Sequence, residues 1–319
     1  MRRSPHRWRH SFRGHAGEPS RQAPQTKKAS KAGQVIEEIR PGQSIELLKE
    51  LHILTREGKL NQDTRRKLKQ VYHLYQFIEP LLREVSGSDG GFTLADHGAG
   101  KSYLGFILYD LFFNVAQPGQ RPAGRIYGIE TRAELVEKSR ALAQRLGFDH
   151  MAFLNLKVAE ATRSAELPAQ VDIVTALHAC DTATDDAIAF GLQKQARHMV
   201  LVPCCQAEVA AVLRKNKALS LAKTPLAELW RHPLHTREFG SQITNVLRCL
   251  QLEAHGYQVT VTELVGWEHS MKNELIIASR PQLAGEGKTR QAQARLEQVL
   301  AELNLGALAS RFSAPGQDV

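Results

Sequence analysis

The residues with the most specific chemistry in this 319-residue chain run Phe92-Thr93-Leu94-Ala95-Asp96-His97-Gly98-Ala99-Gly100-Lys101-Ser102-Tyr103-Leu104. A short apolar run ends in an acid, two glycines follow, and a helical pattern begins at once. That order suits a nucleotide-like ligand at the first turn of a βαβ unit. Glycines let the backbone come close, and the opening helix offers its free N–H groups. Asp96, Gly98 and Gly100 are the residues such a ligand would meet. A phosphate-binding P-loop needs glycine five positions before Gly100, where Ala95 stands, so the Gly-Lys-Ser ending is not one. A dinucleotide fingerprint needs a third small residue at 103, where Tyr103 would crowd the helix–strand contact. An Asp-x-Gly-x-Gly loop remains.

Further candidates follow at strand ends. Arg125-Ile126-Tyr127-Gly128-Ile129-Glu130 reads as a second strand closing on an acid, suited to accept hydrogen bonds from both hydroxyls of a ribose. Its other reading is an N-cap or first-turn acid for the helix from Ala133. Glu160, after the third strand, either approaches an adenine edge or faces solvent. The fourth strand continues as Leu177-His178-Ala179-Cys180-Asp181-Thr182-Ala183-Thr184-Asp185-Asp186, and the fifth ends Val202-Pro203-Cys204-Cys205-Gln206. His178 is a general base near neutral pH or a strand cap. Asp185 is its proton-handling companion or an N-cap for the helix through Leu192. Cys180, Cys204 and Cys205 line a substrate cleft or pack as small buried residues. No metal is expected, because adjacent cysteines rarely both reach one ion. A cysteine nucleophile attacking a pyrimidine carbon lacks its second partner motif. Lys272, before the last strand, contacts substrate or closes a hairpin. Trp267 and His269 beside it could stack on a base.

The Asp-x-Gly-x-Gly loop resembles the one that cradles S-adenosylmethionine in class I methyltransferases. The pairing of His-x-Cys-x-x-Ala-Thr-Asp with Pro-Cys-Cys is similar to a methyltransferase family that includes proteins joined to a glutathione S-transferase C-terminal domain. More distantly it resembles tRNA ribose 2′-O-methyltransferases of the acceptor stem, except that Asp181 replaces a glycine and Gln206 a histidine of that pattern. The resemblance spans about residues 65–280. It implies a Rossmann-like α/β fold, S-adenosylmethionine as cofactor, and methyl transfer. The substrate is not among its implications; RNA (tRNA or rRNA) is the expected partner, with ribose oxygen the leading acceptor. The Asn/Asp-Pro-Pro-aromatic loop of amino methyltransferases is absent after the fourth strand. The alternatives are a methyltransferase acting on a protein or small molecule, and a non-catalytic scaffold that keeps the pocket for recognition.

Positioning these residues requires an alternation of strand and helix. Strands are expected at 92–96, 125–130, 153–158, 171–177 and 198–203, with a final pair at 257–265 and 274–278. Alternation implies a parallel sheet covered on both faces. The expected fold is therefore a seven-stranded, mostly parallel sheet with an antiparallel last strand. In the order 3-2-1-4-5, strands one and four flank the switch point where ligands bind. Leu104, Ile107, Leu108, Leu111, Phe112 and Val115 make an apolar stripe on the helix after the loop. Helices are also expected at 45–54, 64–85, 206–215, 241–255 and 288–305. The divisions are a basic tail (1–34), an N-terminal helical extension (35–90), the cofactor-binding domain (91–280), and a C-terminal linker and helix (281–319).

Charge is uneven. The net charge is +9, yet residues 1–34 hold nine Lys and Arg against Glu18 alone. Such a tail, poor in aliphatics, is expected to be disordered and able to neutralise phosphates. It could equally be an inert leader, or an Arg-rich transit peptide whose apolar face would rest on Trp8 and Phe12. Arg65, Arg66, Lys67 and Lys69 crowd the start of the second helix, as a solvated face or a phosphate contact. No apolar run reaches the length of a membrane span. The four cysteines form no Cys-x-x-Cys pair and no disulfide framework, which points to a reducing, cytoplasmic setting.

Overall fold

The computed structural model describes residues 37–87, 91–115, 123–177, 181–204, 206–216, 224–264, 274–281 and 285–313. Its sheet holds β1 (Thr93–His97), β2 (Arg125–Ile129), β3 (Met151–Leu154), β4 (Ile173–Leu177), β5 (His198–Val202), β6 (Gln258–Glu263) and β7 (Glu274–Ser279). The order is β3-β2-β1-β4-β5-β7-β6. Strands β1 to β5 pair in parallel, and β7 runs antiparallel between β5 and β6. This is the expected sheet. The chain reverses direction of travel beside β1, so β1 and β4 part at their carboxyl ends and open a crevice. Strands with helices on both faces bury every side chain, and all five residues of β5 are buried.

Helix α1 (Ile45–Glu50) and α2 (Gln62–Ser86) precede the sheet. The apolar stripe of α2 faces inward as its spacing predicts, with Leu68, Val71, Tyr75, Ile78 and Leu82 buried. Asn61 starts α2 earlier than expected by accepting from the Thr64 N–H at 2.9 Å, while Thr64 Oγ1 accepts from the Asn61 N–H. After β1 comes α3 (Tyr103–Tyr109), which widens into a π-helical turn at Asp110–Val115. Asp110 is fully buried there, and its carboxylate accepts the Ser44 N–H at 3.1 Å. This bond clamps the N-terminal extension onto α3.

The remaining helices are α4 (Ala133–Leu146), α5 (Val158–Arg163), α6 (Thr182–Gln193), α7 (Glu208–Asn216), α8 (Pro233–Ala254), α9 (Glu286–Glu302) and α10 (Ala309–Phe312). Two further boundaries differ from expectation for identifiable reasons. The third strand ends at Leu154, not 158, because Glu160 accepts the Lys157 N–H at 2.9 Å and starts α5. Helix α8 begins eight residues before the expected 241, with Pro233 in its first turn, where a fixed φ favours the helix. Gly240 does not interrupt it. A Cβ there would lie 2.6 Å from the Ala210 Cα, so glycine lets α7 and α8 touch backbone to backbone. The C-terminal helices are not an appendage. Leu296, Leu300, Leu308 and Phe312 join Val209, Leu213 and Leu247 in a second apolar core beside the one under the sheet.

Candidate cofactor cleft and acceptor side

Asp96 and Thr175 stand in register on β1 and β4, where the crevice opens. Asp96 is 2 % exposed, and the Thr175 hydroxyl donates to its carboxylate at 2.8 Å. Burial pushes the Asp96 carboxyl up to about 7, against the lowering effect of the Thr175 hydroxyl and the Gly105 N–H. It is thus a buried acid at the brink of ionising, which a cation placed beside it would tip into the charged form.

The loop that follows bends through left-handed geometry at Gly98 (φ 66°), Gly100 (φ 59°) and Ser102 (φ 53°). A side chain at either glycine would be strained, and its absence leaves the backbone open to a ligand. The loop is fastened to the end of β2. Ala99 N–H donates to the Ile129 carbonyl at 3.0 Å, and Gly100 N–H to the Glu130 carboxylate at 2.8 Å. Arg132 grips the same carboxylate from its backbone N–H at 3.0 Å and its Nε at 3.1 Å. Burial disfavours the Glu130 charge, yet the Arg132 and Gly100 hydrogen bonds outweigh it and hold the carboxyl at about 2. Gly128 completes the packing: a Cβ there would meet Ser102 Oγ at 2.7 Å and Phe153 at 2.9 Å.

Asp96, Gly98, Gly100 and Glu130 therefore converge as expected. Glu160 is exposed, and its carboxylate caps the start of α5. Asp185 does not cap α6, whose N-cap is Asp181. Both Asp185 oxygens are taken up by Arg248, at 2.7 and 2.9 Å, and that guanidinium is fully buried. An acid engaged on both oxygens by a buried guanidinium is held in place as one half of an ion pair. Cys204 is half-buried just beyond β5. His178, Cys180, Cys205 and Lys272, with Trp267 and His269, lie outside the described residues.

Three features escaped the sequence reading. A cavity of about 450 Å³ lies between α2, α3 and the ends of β1 and β4, with Asp96, Lys101, Lys67, Tyr75 and Leu177 among its walls. His97 points away from Asp96 toward Phe190, its ring 5.6 Å from that ring. It is 5 % exposed, neither ring nitrogen has a hydrogen-bond partner among the described residues, and burial pushes it down to about 4 although Glu130 pulls upward. Arg248 gave only the signal of a charge within the buried stripe that includes Thr244, Leu247 and Leu252.

Comparison with known proteins follows from this geometry. Residues 66–212 match a family model described as a methyltransferase domain. A search of curated proteins gives no match. Among solved structures, magnesium protoporphyrin IX methyltransferase from Synechocystis PCC 6803 with bound SAH is 15 % identical, covering 74 % of this chain and 93 % of its own, with TM-score 0.42. An rRNA methylase from Streptococcus thermophilus is 11 % identical, covering 65 % and 95 %, with TM-score 0.38. Aeropyrum pernix fibrillarin with bound S-adenosyl-L-methionine is 12 % identical, covering 63 % and 73 %, with TM-score 0.35. Residues 66–212 are a methyltransferase domain, and the sheet order is that of class I. The chain therefore carries a methyltransferase domain over these residues, and S-adenosylmethionine is the cofactor its glycine loop is expected to hold.

The donor set fits that cofactor. The glycine cradle is open to backbone approach, and the buried Asp96 is poised to ionise beside a positively charged group. When bound, the cofactor supplies a methyl group made electrophilic by its sulfonium. Asp96, Gly98, Gly100 and Glu130 are the residues that would hold it in the crevice.

Proposed function

We propose that this methyltransferase acts on RNA, with a ribose 2′-oxygen as acceptor. The observation that supports this most is where the cations stand. Lys67, from the basic first turns of α2, and Lys101, from the glycine loop, line the same cavity as Asp96. Arg65, Arg66 and Lys69 are exposed beside Lys67, so a phosphate backbone laid over α2 would reach the crevice mouth. The basic tail at 1–34 adds a salt-sensitive tether. In this reading Glu130 takes the ribose of the cofactor and Asp96 its cationic end. His178 removes the acceptor proton, and no covalent adduct with a cysteine is required. Among the described residues no helix is long and apolar enough to cross a membrane, and the reading places the enzyme in the cytoplasm.

A second reading is favoured by the cavity's other walls. Leu74, Leu104, Ile107, Leu108 and Leu264 make them largely apolar, which suits a small, partly apolar acceptor. Labelled methyl transfer into extract from cells lacking the protein separates the two. Label lost to ribonuclease, and recovered as 2′-O-methyl nucleosides, supports the first. Label that survives nuclease and protease in the small-molecule fraction refutes it in favour of the second.

A further inference from the structure

Asp181 occupies an uncomfortable backbone position. Its φ of 50° and ψ of −121° belong to a region that glycine enters freely and other residues avoid. The related pattern has glycine there, so an aspartate needs a reason. Its side chain supplies one: Oδ1 accepts the Ala207 N–H at 3.1 Å and the Glu208 N–H at 3.5 Å. Asp181 thus starts α6 with its backbone and caps α7, which follows another strand, with its carboxylate.

Its carbonyl is held too. Arg248 Nη2 donates to it at 2.8 Å, while the rest of the guanidinium binds Asp185 and donates to Asn245 Oδ1 at 3.2 Å. That same Asn245 oxygen accepts from Gln206 Nε2 at 2.7 Å, and Ser241 donates to Gln206 Oε1 at 2.7 Å. Asn245 Nδ2 donates to Glu274, at the start of β7, at 2.6 Å. Gln206 is the other residue that departs from the related pattern. The two departures are therefore joined through Arg248 and Asn245 into one network, buried at Gln206, Asn245 and Arg248 and open to solvent where Asp181 meets Ala207.

We infer that Arg248 and Asp181 are positioning residues: through this network they tie the start of α6 to the start of α7, and so set how the acceptor is held. The geometry supports a local effect. The network lies on α6, α7, α8 and the start of β7, whereas the cofactor residues Asp96, Gly98, Gly100 and Glu130 lie on β1, its loop and β2. The inference rests on methyl transfer itself, not on RNA as acceptor.

The test uses the full chain with labelled cofactor, and as acceptor whichever extract fraction, RNA, protein or small molecule, the wild type labels most. The variants are Asp181→Gly, which relieves the backbone and removes the cap, Asp181→Asn, which keeps an accepting oxygen, and the paired Arg248→Met/Asp185→Leu. The pair removes both buried charges together, so it avoids leaving one unpaired. Expected for Asp181→Gly and the pair are at least tenfold losses in kcat/KM, seen mainly in KM for the acceptor. S-adenosylhomocysteine affinity should stay within twofold, and Asp181→Asn should restore most activity. Amide exchange at Ala207 and Glu208 should quicken at least tenfold in Asp181→Gly. Quickened exchange with unchanged kcat/KM would overturn the inference, leaving a purely structural cap. So would a parallel loss of cofactor affinity. If the labelled fraction is not RNA, the proposed acceptor fails while the network test stands.

Discussion

Replacing Asp96 by asparagine tests the cleft through folding alone. In the folded chain burial holds this carboxyl at about 7, against an ordinary value of 3.8. A raised folded value means the unfolded chain gives up its proton first. Stability from the protonated form is then fully present below about pH 4 and is lost as pH rises toward 7. Each unit is worth about 1.4 kcal/mol, so the loss across that window is on the order of 4 kcal/mol. Asparagine does not titrate and keeps an oxygen for the Thr175 hydroxyl, but its NH2 group replaces one acceptor oxygen, at a cost of about 1–3 kcal/mol. Asp96→Asn should therefore be less stable than wild type at pH 4 and more stable at pH 8. Urea unfolding at pH 4, 6 and 8 reads the crossing directly. Other titrating groups, His97 included, are common to both proteins and cancel in the difference. Unfolding free energies that stay parallel across the range would refute a buried, neutral Asp96. A further readout is calorimetric. S-adenosylhomocysteine, whose ammonium is a cation, should expel about nine-tenths of a proton at pH 6 and almost none at pH 8.

Glu130→Ala should weaken S-adenosylhomocysteine at least tenfold by calorimetry; unchanged affinity would remove Glu130 from the cofactor site. His97→Leu deletes two unpartnered buried nitrogens and should raise urea stability at pH 7 by about 1–3 kcal/mol. Because burial holds His97 near 4 in the fold, the stability of wild type relative to the variant should fall as pH drops from 6.5 toward 4, the Asp96 contribution being common to both, and a destabilised variant would contradict the orphan assignment. Gly240→Ala would push a methyl into the Ala210 backbone and should cost at least about 1–3 kcal/mol, read as a lower thermal midpoint with cofactor affinity intact. Deleting residues 1–34 should flatten the salt dependence of RNA binding and leave cofactor affinity alone; identical slopes would reduce the tail to a leader.

The sheet was legible because its strands are short apolar runs separated by helical periods, and Asp96, Gly98, Gly100 and Glu130 were legible because each sits at a strand end. Local capping defeated the third strand. Phe153 to Val158 shows enough apolar character for a strand, and only the reach of Glu160 back to Lys157 ends it early. Helix α8 was cut short because its first turns are rich in His, Arg and Thr, polar residues that hide a helical start. Asp185 was misjudged for a different reason. Its partner lies 63 positions away, and no local pattern announces that a distant arginine will be buried against it. The same holds for Asp110, whose carboxylate is placed by Ser44, 66 residues upstream.

The glycine loop keeps its shape by using Glu130 as an internal stand-in for a ligand. Both carboxylate oxygens are already engaged, by Gly100, by the Arg132 backbone and by a guanidinium whose side chain is 60 % exposed. Were ribose hydroxyls to come to Glu130, they would compete with the exposed Arg132 head for it, so binding there would be a swap of donors rather than a gain of them. Bonds within the chain alone hold the loop in shape, so a ligand that reaches it meets a cradle already formed.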